Sequence, residues 1–371
     1  MFPPKTIGII GNLGKMATNV VVPLFEGAHY KVIGSDIKNP RGLTNADVVQ
    51  IADVVYFSIL PISTVAPAIE QLIPFAKPDT LWLHGTSIQN PVKAPITPVL
   101  LRRSLAKKRV DVGFLHFMVG PTVRSLRGQS VVYGFPRRLK TPSWEEWLIN
   151  LLRPTKAHIL KCSPDYHDEL TTGSQVIPQL IALVSSHLWL QRQIPLSDVL
   201  RMAGPPCWFQ NYGIIRNLSQ PDIVANILGN HPGTHGVIRS AVRILNSIAR
   251  VCGKKGNTLA KFTAKGLKAL PEEELDRINK FTDWHIRLEG DMRGGAVCFY
   301  FPRKSNRLGL LVKVLQRFDR EGLDKTSCMV QTLPNGGCQF YIGVKAPLDD
   351  PRIEAACEKI VKELNGKRVA I

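Results

Sequence analysis

Short apolar runs alternate with longer stretches of helical spacing through about the first 160 residues. The runs TIGIIG (6–11), HYKVIGSD (29–36), ADVVYFSIL (52–60), DTLWLHG (79–85), RVDVGFLHF (109–117) and QSVVYGF (129–135) each read as a strand. Segments 14–27, 64–75 and 92–107 between them read as helices. Strands alternating with helices predict a doubly wound, mainly parallel sheet. The pattern then changes. From about 161 to 288 it shows no strand, only long amphipathic stretches such as 167–190 and 234–252, which predict an all-helical domain packed on itself or on a second subunit. From 292 to 371 it returns to strand, helix, strand, glycine turn, strand, helix, which predicts a small α+β domain.

Composition adds limits. At 371 residues, with 44% hydrophobic content, two or three domains with sizeable cores are expected. The longest apolar stretch, VIPQLIALVSSHLWL, is broken by Pro178, Gln179, Ser185, Ser186 and His187, so it reads as a buried helix and not as a membrane span. The start, MFPPKT, has no apolar signal region. Seven scattered cysteines without a CxxC pair point to a reducing cytoplasm and away from a disulfide framework or zinc site. The net charge of +19 favours anionic partners. Its basic clusters are short and not interleaved with aromatics, which argues against nucleic acid and for small polyanions.

The stretch IIGNLGKMA (9–17) lies between the first strand and the first helix, where a dinucleotide-binding turn of a Rossmann-type domain belongs. Gly11 closes the strand, Gly14 opens the helix and Ala17 supplies a small contact, while Asn12 stands where a glycine is usual. Asn tolerates unusual backbone angles better than most residues, which accounts for the exchange. Asp36 ends the second strand, positioned to accept hydrogen bonds from ribose hydroxyls and so to favour NAD, with Lys38 and Arg41 leaving NADP open. With Leu13, Lys15, Met16, Ile37, Leu60 and Pro61 these residues form the expected cofactor set.

Further motifs follow in order: GTSIQN (85–90), HFMVGPTVRSLRGQSVV (116–132), HDELTTGSQVIPQ (167–179) and RNLSQPDIVANIL (216–228). Together they resemble the prephenate/arogenate dehydrogenases of tyrosine biosynthesis over roughly the first 230 residues. That resemblance implies an oxidative decarboxylation, in which hydride leaves ring C4 for NAD and C1 loses carbon dioxide. It assigns catalysis to His116, a base titrating near neutral pH, with Ser87 between it and the nicotinamide. It assigns the dicarboxylate substrate to Arg216, Gln89 and Gln179, and a structural hinge role to His167 and Asp168. Where the family commonly has Asp, Lys and a second His, this chain has His84, Gln89 and Gln179, and Phe117 follows His116 in place of a proline. These departures leave prephenate, arogenate and an amino-substituted analogue open as substrates, and a catalytically weakened sensor as a rival reading. The C-terminal block resembles an ACT regulatory domain, with Asn306 and Gly309 at the ligand turn. This implies an aromatic amino-acid effector, and the helical block implies a homodimer.

Overall fold

The computed structural model describes residues 4–101, 110–123, 125–252, 271–280, 296–333 and 336–369, with isolated positions between 260 and 285. It has two compact units, Met1–Pro195 with Tyr212–Ala249, and Leu196–Asn211 with Arg250–Ile371.

The first unit is built on seven strands: β1 (Thr6–Ile10), β2 (Lys31–Ser35), β3 (Val54–Phe57), β4 (Leu81–His84), β5 (Asp111–Phe117), β6 (Ser130–Gly134) and β7 (His158–Lys161). Their order is β2-β1-β3-β4-β5-β6-β7. All neighbours are parallel except β5 and β6, so the last two strands run against the rest. The sheet is a Rossmann-type doubly wound sheet. It is buried on both faces, which is why its strands read as unbroken apolar runs. Val54 and Tyr56 of β3 point into one core with Leu83, Leu115 and Phe117, while Val55 and Phe57 point into the other with Trp82 and Val112. Strand order reverses about β1 and β3, and a cleft opens there at the carboxyl ends of the strands, as the topology requires.

Two helices bordering the cleft contain a widened turn, Ala17–Val21 and Thr172–Val176, in which the N–H groups of Val22 and Ile177 reach back five residues to the carbonyls of Ala17 and Thr172. Pro23 and Pro178 follow immediately. A proline ring crowds the carbonyl four residues back and offers no N–H, and the wider turn relieves that conflict. The helix expected over 92–107 is observed as Asn90–Leu101, its remainder lying outside the described residues. No helix among the described residues is long and apolar enough to cross a membrane.

The second unit carries β8 (Ala296–Phe301), β9 (Lys325–Thr332), β10 (Cys338–Val344) and β11 (Lys367–Val369) in the order β11-β8-β10-β9, all pairs antiparallel. Helices Leu310–Arg320 and Pro351–Leu364 bury Val314, Phe318, Ile353 and Ile360 against it. The result is a βαββαβ fold, one strand longer than the sequence pattern indicates. Gly309 precedes the first helix with φ +81, and Asn306 donates from Nδ2 to the Gly336 carbonyl at 3.1 Å. Of the glycine turn PNGG, Pro334 and Asn335 lie outside the described residues.

Candidate active site

Gly11 ends β1 with φ +82, and a side chain there would begin 2.5 Å from the Ser58 carbonyl oxygen. Only glycine meets both demands. Asn12 departs from the expectation, because its backbone is not left-handed at all. Its side chain instead lies over Gly34 of β2, where a Cβ would meet the Asn12 Cγ at 2.5 Å. The glycine missing from the turn is thus compensated by a glycine in the adjacent strand.

Gly11, Gly14, Lys15, Met16, Asp36, Ile37, Lys38 and Leu60 line one end of a cleft of about 840 Å³. Asn12, Leu13 and Pro61, expected in the cofactor set, do not line it. Leu13 acts through its backbone, donating to Asp36 Oδ2 at 3.0 Å, while Asp36 Oδ1 accepts from the Lys38 N–H at 2.9 Å. The carboxylate therefore braces the turn as well as facing the cleft. Asp36→Ala is expected to lower NADH affinity about tenfold by fluorescence titration, the worth of one charge-assisted hydrogen bond, with a smaller loss for NADPH because a repulsive charge also goes. Unchanged affinity for both would remove Asp36 from the site.

At the other end β5 delivers His116 to the cleft, while His84 of β4 and His167 and Asp168 of helix Pro164–Thr171 do not line the cleft and gather around His116. All four side chains are buried. His116 Nδ1 lies 3.0 Å from His167 Nε2, and His167 Nδ1 lies 3.1 Å from Asp168 Oδ1. Asp168 also accepts from the backbone N–H groups of Gln89 at 2.7 Å and Asn90 at 2.8 Å, and from Asn90 Nδ2 at 2.9 Å. Burial pushes the Asp168 carboxyl up, but the His167 hydrogen bond and the two backbone N–H groups outweigh it and hold the pKa below its ordinary value. The carboxylate accepts only, so His167 Nδ1 carries a proton, and when the His167 ring is neutral its Nε2 accepts and His116 Nδ1 donates. His116 Nε2 is left without a proton, on a residue that lines the cleft. His167 and Asp168 are therefore more than a hinge. Their signal in the sequence is the adjacent His-Asp pair, whose bearing on His116 appears only when the helix is placed. Among the described residues no group is arranged to hold a metal ion.

Burial, then the neighbouring His167, push the pKa of His116 down to about 3, and the same causes push His84 to about 3. This corrects the expectation of a base titrating near neutrality: in the free protein His116 is neutral throughout that range. An unfolded chain takes up protons at both rings near the ordinary imidazole value of 6.5, and the folded chain does not until about 3. Their stability contribution is accordingly full above 6.5 and lost as pH falls toward 3. Thermal unfolding is expected to hold steady above neutrality and to fall steeply below it, with proton uptake approaching two per molecule, and approaching one in His84→Asn. An unfolding midpoint independent of pH between 4 and 7 would contradict the burial of these rings.

The remaining expected residues divide. Ser87 and Gln179 line the cleft with His116, joined by Gln175. Gln89 does not reach it. Its Nε2 donates to the Thr86 carbonyl at 2.6 Å and its backbone serves Asp168, so it is a brace rather than a substrate ligand. Arg216 is exposed, with Nη2 3.2 Å from where a side chain at Gly120 would begin, and Gly120 lines the cleft.

No protein-family model matches the chain, and no curated protein matches it by sequence. Solved structures do match. Prephenate dehydrogenase from Aquifex aeolicus, in complex with hydroxyphenyl propionate and NAD+, superposes with a TM-score of 0.51 at 16% identity, over 74% of this chain and 98% of the other. A protein of Corynebacterium glutamicum described as a candidate prephenate dehydrogenase gives 0.56 at 13% identity, over 76% and 90%. The chain therefore shares the fold of these two structures. In this fold the glycine turn after β1 and the segments that follow β4 and β5 share one cleft, and His116 is the member of the histidine chain that lines it.

Proposed function

We propose that the chain is an NAD-dependent dehydrogenase, with NADP open as a second cofactor, that oxidatively decarboxylates a cyclohexadienyl dicarboxylate of the prephenate and arogenate type. The observation that carries this reading is the hydrogen-bonded chain Asp168–His167–His116, which leaves an unprotonated His116 Nε2 in the same cleft as the glycine turn. The left-handed Gly11 and the helix opening at Lys15 suit a pyrophosphate, which Gly14, Lys15 and Met16 would hold, with Asp36 and Ile37 at the adenosine ribose. A nicotinamide bound there supplies the hydride acceptor. His116 takes the proton of the C4 hydroxyl as hydride leaves C4, and the C1–carboxylate bond breaks to release carbon dioxide. Its electron pair completes the aromatic ring, and the phenolate oxygen formed at C4 takes the proton back from His116. The proton on His116 Nδ1 is meanwhile held by His167, so the new imidazolium is stabilised through Asp168.

Ser87, which lines the same cleft as His116, would act between it and the nicotinamide, and Arg216 next to Gly120 would be the cation for the side-chain carboxylate. Among the described lining residues the cations are Lys15 and Lys38, at the dinucleotide end, and Arg216 stands next to Gly120 of the lining. Two helices carry exposed apolar stripes, Ile177, Ile181, Val184 and Leu188 on one and Ile238, Val242 and Leu245 on the other, which support a homodimer. The βαββαβ unit, with Asn306 and Gly309 at its turn, supports regulation by an aromatic amino acid.

The test is turnover of prephenate and arogenate, each with NAD and NADP, followed by the appearance of reduced cofactor. Turnover of either supports the proposal and fixes substrate and cofactor. Dinucleotide binding without turnover of either substrate would favour a sensor or an amino-substituted analogue in their place.

A further inference from the structure

The carboxyl end of β5 outruns its neighbour. β4 pairs with β5 up to His84 opposite Phe114, and β5 then continues as Leu115, His116 and Phe117 with only β6 beside it. One edge of this segment, the one that faces past the end of β4 and presents the Leu115 carbonyl, would be free. It is met by a side chain from β3, two strands away in the sheet. Tyr56 is 1% exposed, and its hydroxyl donates to the Leu115 carbonyl at 3.0 Å. To get there it crosses the line of β4 just past its last residue, at Gly85, where an added Cβ would stand 2.0 Å from the hydroxyl oxygen. The tyrosine ring also packs against Phe117, with centroids 6.2 Å apart. Tyr56 thus grips the residues on both sides of His116, from the opposite face of the sheet to the imidazole.

We propose that Tyr56, admitted by Gly85, is a positioning residue for His116. Its hydroxyl fixes the backbone of the overhanging end of β5, and so fixes the ring nitrogen of His116 relative to His167 and to the cleft. Burial raises the phenol pKa above its ordinary value, so the group remains a donor at any working pH. Phe117 fits the same account: a large ring after His116 supplies the surface on which Tyr56 rests.

The proposal rests on His116 being the base, and its test separates the two. Tyr56→Phe removes one oxygen and keeps the ring. The expected result is a fall in kcat of about tenfold, with KM and NADH affinity unchanged, since a single neutral hydrogen bond is worth roughly that. Tyr56 and Gly85 also line the cleft, and the roles separate in a His116→Asn background, where a Tyr56 that acts through the imidazole gives no further effect on kcat. Gly85→Ala should be far more damaging, and Tyr56→Phe should partly rescue it by removing the clashing oxygen. Independently of turnover, the imidazole NMR signals of His116 should shift in Tyr56→Phe while those of exposed His187 do not. Unaltered His116 signals would overturn the proposal even if kcat falls. A shift accompanied by full activity of His116→Asn would instead leave the positioning intact and remove the base.

Discussion

Replacing His116 with asparagine is expected to lower turnover by about 10²–10⁴-fold and to leave dinucleotide binding unchanged, the usual span for the loss of a positioned general base. Asparagine is close in size to the proximal part of an imidazole, and its amide still offers His167 a donor. The exchange therefore removes the basic nitrogen and little else. Binding is spared because the glycine turn and Asp36 lie at the far end of the cleft. The expected pH behaviour is as informative as the rate. With His116 pushed down to about 3 by burial, the wild-type kcat/KM should not rise through neutrality, and its acid limb should follow the loss of fold. Steady-state kinetics and NADH titration of both proteins decide the matter. An asparagine variant with wild-type kcat would show that another group takes the proton.

The periodic signals in the sequence were those of elements buried on both faces. β1 to β6 appear where apolar runs predict them, because a sheet covered by helices needs continuous hydrophobic strands. β7 was missed for the converse reason: HILK is a short edge strand with two of its four residues polar, and its pairing with β6 is what makes it a strand. β11 is shorter still. At the site, Gly11, Gly14, Asp36 and His116 were legible because each answers a local requirement of backbone, charge or strand end. Asn12 was read through its own backbone, whereas the accommodation lies in Gly34, a contact between strands that no local pattern encodes. Gln89 was placed in the cleft by its position in a motif, and its side chain turned to a nearby carbonyl. Tyr56 carried no signal at all, since a tyrosine in a buried strand looks like core until its hydroxyl is seen to cross a glycine.

Asp168→Asn is the sharper test of the histidine chain, because it changes neither the ring that reacts nor a residue that lines the cleft. The carboxylate accepts from four donors: His167 Nδ1, the N–H groups of Gln89 and Asn90, and Asn90 Nδ2. An asparagine has a single acceptor oxygen. If that oxygen takes the place of Oδ2 and keeps the two Asn90 donors, the new NH2 takes the place of Oδ1, facing the Gln89 N–H and His167 Nδ1, and His167 Nδ1 must then give up its proton and accept. His167 Nε2 becomes the donor, His116 Nδ1 accepts, and the proton moves to His116 Nε2, the atom that has to be bare. Wrong-tautomer substitutions of this kind have cost about 10⁴ in kcat in serine proteases, and a loss of about 10³ is expected here, where His167 stands between the carboxylate and the base. NADH affinity should persist, and ¹⁵N signals of the His116 ring should report the exchanged tautomer. Asp168→Ala serves as the structural control: it strands the N–H groups of Gln89 and Asn90 without imposing a tautomer, so it should destabilise the fold more and slow turnover less. A folded Asp168→Asn protein with wild-type kcat and an unprotonated His116 Nε2 would show that the tautomer is set elsewhere.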